Sequence, residues 1–169
     1  MIKTADDFRN FYKPAKERKN FSVIEEIGVV SDLLSRQLQN MDIALIITGD
    51  PKIEANGCSG EFKQVILNLL NNAKEAFGSG DNKEKRIDVN VVSYDTKTIL
   101  TIADNAGGIS PGLLQSGIFE QFSSTKGEAG TGIGLAISKT IIEENMGGKI
   151  SAKNVNGGAE FTIELPKAV

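Results

Sequence analysis

"EAGTGIGLAIS", residues 128–138, sets glycines at 130, 132 and 134 immediately before a helix-forming run. How those glycines are read decides the fold. In a dinucleotide-binding βαβ unit such a loop follows directly on a strand, and the fold is a doubly wound parallel sheet. Here the preceding residues, "IFEQFSSTKGEA" (118–129), form a lid-like stretch, and no Gly-Lys-Ser/Thr follows the glycines, so neither a Rossmann fingerprint nor a Walker A loop fits. What remains is a glycine turn exposing backbone N–H groups at a helix N-terminus, a ready site for phosphate. Lys126, just before it, is either a mobile cation that reaches a terminal phosphate or one more surface lysine.

Downstream of the glycines a helix is predicted over 131–146, ending at Gly147-Gly148, and strands "KISAKN" (149–154) and "AEFTIELP" (159–166) follow around Asn156-Gly157-Gly158. Upstream, residues 105–130 are rich in Gly and Ser and show little periodicity beyond a short turn after Pro111, the character of a lid or binding loop. "RIDVNVVSYD" (86–95) and "TILTIADN" (98–105) alternate as two antiparallel strands around Asp95-Thr96-Lys97, preceded by a polar break, "GSGDNKEK" (78–85). A helix is predicted over 60–77. "DIALIIT" (42–48) and "KIEANG" (52–57) flank Gly49-Asp50-Pro51 and read as a hairpin. Ser22 with Glu25 forms a capping box, and Ile27, Val30, Leu34, Leu38 and Met41 follow at spacings of three and four, so 22–40 is an amphipathic helix. The first twenty residues read as a frayed helix end and a basic connector, broken at Pro14. Three helices and about six strands in this order specify an α/β two-layer sandwich with the helices on one face of a mixed sheet.

Composition narrows the function. With 169 residues, 40% of them apolar, the chain is the size of one ordinary domain. A net charge of −3 and a pI near 5.1 argue against a nucleic-acid surface. Cys58 is the only cysteine, which excludes a disulfide framework and fits a reducing, cytoplasmic compartment. Histidine is absent, so Ser-His and Cys-His catalysis and His-based zinc sites are excluded. The N-terminus has no leader-like apolar core and the longest aliphatic run, "IALII", is too short to cross a bilayer, so the chain is expected to be soluble and without membrane contact.

At about 100° per residue, Glu61, Gln64, Asn68, Asn72 and Glu75 fall within roughly 40° of one line on the second helix. Phe62, Val65, Ile66, Leu69, Leu70, Ala73, Ala76 and Phe77 take the neighbouring arc, with Lys63 and Lys74 at an expected solvent edge. Asn is a poor helix former, and an amide carbonyl can serve as a neutral oxygen ligand for Mg²⁺ that also shares triphosphate oxygens. On pattern alone a ligand face and a solvated stripe are equally good readings. Asp104 ends an apolar strand, and Gly107 and Gly108 open the turn after it. A carboxylate there can accept from an exocyclic amine while bare backbone admits a flat ring. Taken by itself, the same Asp-Asn-x-Gly stretch is ordinary turn chemistry.

In order along the chain, "NLLNNAKEA" (68–76), "DNAGGI" (104–109), "IFEQFSSTK" (118–126) and "GTGIGLAISK" (130–139) resemble the N, G1, F and G2 boxes of the ATP-binding catalytic domain of sensor histidine kinases. That domain belongs to the GHKL ATPases, with gyrase, Hsp90 and MutL, and the resemblance covers roughly residues 20–166. It implies the Bergerat ATP-binding fold, a mixed, mostly antiparallel sheet covered on one face by three helices. It implies Asn72 as the Mg²⁺ ligand, Asn68 facing the phosphates, Asp104 on the adenine amino group and Gly108 shaping its pocket. Phe119 and Phe122 would pack the lid, and Gly130, Gly132 and Gly134, with Thr131 and Leu135 of the same box, would form the hinge and phosphate turn. Asn72 and Lys126 would carry the transfer of the γ-phosphoryl of Mg-ATP to a histidine on a separate dimerisation domain, from which it passes to a response regulator.

"DDFRNFYKP" (6–14) looks like the end of a dimerisation helix, which makes residues 1–19 a remnant of that domain and its linker and 20–169 the catalytic domain. Ala106 stands where the family often has glycine. Glu75 and Ala76 replace the Lys and Tyr of many relatives, as in nitrogen-sensor kinases, and move phosphate neutralisation toward Lys126. Without histidine the chain is expected to be part of a larger kinase and unable to phosphorylate itself on histidine. A regulatory nucleotide-binding module without transfer is the second reading. A gyrase- or MutL-like ATPase ranks lower, because Glu61, its candidate acid, lies seven residues before Asn68.

Overall fold

The computed structural model describes residues 17–78, 84–120 and 133–168. A short strand β1 (Lys19–Ser22) leads into helix α1 (Val23–Asn40). Strands β2 (Ile43–Thr48) and β3 (Glu54–Gly57) precede helix α2 (Ser59–Ala76), and β4 (Lys85–Ser93) and β5 (Lys97–Asp104) follow it. A one-and-a-half-turn helix α3 (Pro111–Ser116) follows β5. Helix α4 (Ile133–Lys139) continues as a π-helical segment (Thr140–Asn145) and is followed by β6 (Lys149–Val155) and β7 (Gly158–Pro166).

The main sheet has the order β2-β4-β5-β7-β6, antiparallel throughout except for β2 and β4. This is the two-layer, mixed and mostly antiparallel architecture expected from the sequence. Local turn chemistry sets its hairpins. Asn156 (φ 51°) and Gly157 (φ 77°) both occupy the left-handed region, as a two-residue turn between β6 and β7 requires. The helices bury their apolar stripes against the inward face of the sheet: Ile27, Val30, Leu34 and Leu38 from α1, and Phe62, Ile66, Leu69 and Leu70 from α2, meet Ile87, Leu100, Ile102 and Ile163. Ser22 caps α1 as predicted, its Oγ accepting from Glu25 N at 3.3 Å, and the same hydroxyl donates to Pro51 O at 2.7 Å.

The hairpin expected around Gly49-Asp50-Pro51 does not form. β2 joins the main sheet as the parallel neighbour of β4, while β3 pairs antiparallel with β1 in a separate two-stranded sheet. Parallel neighbours need a long crossover, and α2 supplies it between β2 and β4. The turn itself diverts the chain: Asp50 accepts from Lys52 N through its side chain at 2.9 Å and from Ile53 N through its carbonyl at 3.0 Å. Ile53 O in turn accepts from Val23 N at 3.1 Å, tying the segment to the start of α1. β1 is anchored by Phe21, whose ring lies 5.1 Å from that of Phe62 on α2.

The predicted helix over 131–146 changes character at its middle. Met146 N donates to Ile141 O, five residues back, at 3.0 Å, and Thr140 Oγ1 donates to Ala136 O at 3.2 Å. Hydroxyl back-bonding of this kind loosens a helical ladder where a wider turn begins. Among the described residues no helix is long and apolar enough to cross a membrane.

Candidate functional site

The polar line on α2 is built into the molecule unevenly. Asn68 Nδ2 donates to Gly134 O at 3.2 Å and to Ser138 Oγ at 3.3 Å, and Ser138 Oγ donates to Gly134 O at 2.8 Å. The side chain of Asn68 therefore joins α2 to the start of α4. Asn72, one turn on, is half-buried. At the other end of the line Glu61 Oε2 accepts from Asn145 Nδ2 at 2.9 Å, and a groove of about 280 Å³ runs between Glu61 and Gln64 on one side and Ala136, Ile137 and Thr140 on the other.

Lys63 and Lys74 do not line a solvent edge. Lys63 Nζ lies 3.4 Å from Glu26 and Lys74 Nζ donates to Gln37, both on α1, so this side of α2 is a polar seam between two helices. The sequence pattern cannot separate water from a polar neighbour, since both tolerate lysine. Ala76, assigned to the apolar arc, is exposed, while Leu67 is buried.

Asp104 sits where β5 leaves the sheet, half-buried, and its Oδ1 accepts from Ala106 N at 2.9 Å and Ala159 N at 3.3 Å. The turn beyond it has Gly107 at φ 103° and Gly108 at φ 87°, backbone that only glycine adopts without strain. Asn154 of β6 holds that turn from the other side. Its Oδ1 accepts from Ile109 N and its Nδ2 donates to Ile109 O, both at 2.7 Å, and a Cβ on Gly108 would fall 2.8 Å from Asn154 Oδ1. Gly107 N donates to Gly157 O at 2.8 Å, so the loop after β5 and the β6–β7 turn form one backbone frame.

Of the remaining sequence-predicted residues, Leu135 is half-buried against the core and Phe119 packs edge-on to Phe161, ring centroids 6.2 Å apart. Phe122, Lys126, Gly130, Thr131 and Gly132 lie outside the described residues. A Cβ on Gly134 would stand 3.5 Å from Asn68 Cγ, an ordinary contact, so close packing there does not itself demand glycine.

Sequence reading missed Ser138 and Asn154. Ser138 falls four residues after Gly134, inside the helix, and is fully buried. Asn154 falls in alternation with Ile150 and Ala152 on β6 but is itself exposed.

The geometry provides a set of amide and backbone groups at the start of α4, and a carboxylate beside left-handed glycine backbone at the end of β5. Among the described residues no group of three or more His, Cys, Asp and Glu could hold a metal ion.

Comparison with known proteins points the same way. Residues 58–169 match the family described as histidine kinase-, DNA gyrase B- and HSP90-like ATPase. The chain is similar to the two-component sensor PprA of Pseudomonas aeruginosa, 39% identical over 121 residues covering 69% of the chain and 13% of that protein. It is 32% identical to the C4-dicarboxylate transport sensor protein DctB of Rhizobium meliloti over 165 residues, 96% of the chain and 26% of DctB. The chain thus spans about a quarter or less of these two relatives. Among solved structures, the catalytic domain of histidine kinase ThkA superposes with a TM-score of 0.79 at 32% identity, covering 89% of this chain and 98% of that one. ThkA is also solved in complex with the response regulator protein TrrA, with a TM-score of 0.76 at 28% identity over 89% of this chain and 42% of that one.

Proposed function

The chain belongs to the histidine kinase-, DNA gyrase B- and HSP90-like ATPase family, and on that premise we propose that it is the ATP-binding catalytic domain of a sensor histidine kinase. The activity is transfer of the γ-phosphoryl of ATP to a histidine on a dimerisation domain, which hands it to the receiver domain of a response regulator. Residues 1–19 are read as the end of that dimerisation helix and its linker. The observation that carries the proposal is the Asn68 amide bound to Gly134 O and Ser138 Oγ, which docks the asparagine face of α2 on the helix that follows the glycine box. The solved catalytic domain of ThkA, alike over nearly its whole length, supports the same reading.

In this reading Asp104 accepts from the adenine amino group, and Gly108, whose missing Cβ makes room for Asn154, shapes the turn beside it. Asn68 and Asn72 offer neutral oxygens beside the triphosphate, the chemistry Mg²⁺ takes when it shares phosphate oxygens. The cation, when bound, supplies charge neutralisation to the phosphates. Lys126 adds a mobile positive charge, and Gly130, Thr131, Gly132, Gly134 and Leu135 present backbone around the phosphates. Phosphoryl transfer depends mainly on positioning and charge, so this chain need not supply a base or nucleophile of its own. Glu61, the acid a hydrolytic relative would need, lies seven residues before Asn68 and accepts from Asn145.

The test is calorimetric titration of the chain with a non-hydrolysable ATP analogue, with and without Mg²⁺, followed by incubation with labelled ATP and a supplied histidine-containing dimerisation domain. Label on the histidine domain is the expected result. Nucleotide binding without transfer would make the chain a regulatory module, and turnover by the isolated chain would favour the ATPase reading.

A further inference from the structure

The hydrogen bonds around Ser138 determine which edge of the Asn68 amide faces α4. Gly134 O can only accept, and Ser138 spends its single O–H on that carbonyl at 2.8 Å, leaving lone pairs on Oγ. The neighbouring amide must present its NH₂ edge to both, at 3.2 and 3.3 Å, because the opposite flip would set three acceptors against one donor. Ser138 is fully buried, so water does not compete for its hydroxyl. Among the described residues Oδ1 of Asn68 accepts no hydrogen bond, and amide planarity turns it away from α4.

We propose that Ser138 is a positioning residue that locks the Asn68 amide with its NH₂ edge spent on α4 and its oxygen offered to the nucleotide side. The inference rests on the proposed function and refines it. An oxygen edge repels phosphate oxygens but accepts from water on a cation or from an ammonium group, so Asn68 acts on the triphosphate through Mg²⁺-bound water or a lysine, with no donation to phosphate. Asn68 thereby supports the Mg²⁺-linked part of nucleotide binding, and adenine recognition at Asp104 is independent of it.

The experiment compares the intact chain with Ser138→Ala, Asn68→Ala and the double variant, titrated with the ATP analogue with and without Mg²⁺. Ser138→Ala is expected to reduce the affinity gained from Mg²⁺ about threefold or more while Mg²⁺-free binding holds, with a melting loss no larger than one buried hydrogen bond gives. In the Asn68→Ala background the same substitution should change nothing further, the mark of a residue acting through its neighbour. Hydrogen exchange at the Asn68 side-chain amide of the unsubstituted chain gives a second readout, and protection there is expected. Parent-like Mg²⁺ dependence in Ser138→Ala, an equal loss with and without Mg²⁺, an undiminished effect in the Asn68→Ala background, or exchange at the free amide rate would each overturn the role of Ser138 alone. Absence of Mg-nucleotide binding in the unsubstituted chain would instead overturn the proposed function, and this role with it.

Discussion

Asn154 holds Ile109 by both of its backbone groups, accepting from Ile109 N and donating to Ile109 O at 2.7 Å each. One side chain on β6 thus does for the loop after β5 what a paired strand would do. It fixes the glycine turn at Gly107 and Gly108 without covering it, and bare backbone beside Asp104 is what a flat ring requires.

Asn154→Ala removes two hydrogen bonds, each worth about 0.5–1.5 kcal/mol net. Because the loop they hold lies beside Asp104, the loss falls on binding more than on stability. The expected outcome is nucleotide affinity weakened about fivefold to tenfold with a small drop in melting temperature. Titration and melting of the same preparation check it, and unchanged affinity would show that the loop keeps its shape without Asn154.

Two glycines predict opposite outcomes for the same substitution. A Cβ on Gly158 would fall 1.6 Å from Asp104 O, a backbone atom at the end of β5, so Gly158→Ala forces the start of β7 away from it. The cost is expected to be on the order of 3 kcal/mol or more. Gly28 lies in α1 with nothing within 4 Å of its ideal Cβ, so Gly28→Ala should stabilise by about 0.5–1 kcal/mol. Urea midpoints of the two variants against the parent measure both, and destabilisation by Gly28→Ala would refute the helix-propensity argument.

Lys97 Nζ lies 2.7 Å from Glu164 Oε1 across the β5–β7 pair, and its hydrogen bond and charge hold the Glu164 carboxyl below the usual glutamate range. With the folded value below the unfolded one, the stabilisation is present above the unfolded pKa and disappears as pH falls through the lowered folded value. Lys97→Met should return Glu164 toward its ordinary titration and remove that part of the acid dependence. Carboxyl chemical shifts followed through an acid titration read it directly. An unmoved midpoint would assign the lowering to Lys149, the remaining positive neighbour.

What the sequence made legible was local. The Ser22 cap, the Asp95-Thr96 and Asn156-Gly157 turns and the apolar stripe of α2 are each specified by residues within one turn or one hairpin of each other. The partners of β2 and β3 were not legible, because alternation identifies a strand without naming its neighbour, and a Gly-Asp-Pro turn between two strands looks the same whether or not they pair. The candidate site divides likewise. Asn68 and Asp104 stand out by type and position, whereas Ser138 and Asn154 act on residues 70 and 45 positions away and become visible only when the chain is folded.

Asp104 offers the sharpest test of the nucleotide reading. Its Oδ1 is committed to Ala106 N and Ala159 N, so Asp104→Asn can keep an oxygen on those two groups and the frame they hold. The other carboxylate position then changes from acceptor to donor. An adenine amino group loses its acceptor there, while a 6-oxo purine gains a donor, so the substitution should invert preference where Asp104→Ala would merely weaken binding. The ratio of ATP to GTP or ITP affinity is expected to fall on the order of tenfold or more, with melting temperature little changed. Competition titrations of the three nucleotides against both proteins measure the ratio. A ratio equal to the parent's would remove Asp104 from base recognition and leave it as a structural member of the turn, while equal loss for all three nucleotides would mean that the Asn side chain had disturbed the Ala106–Ala159 frame.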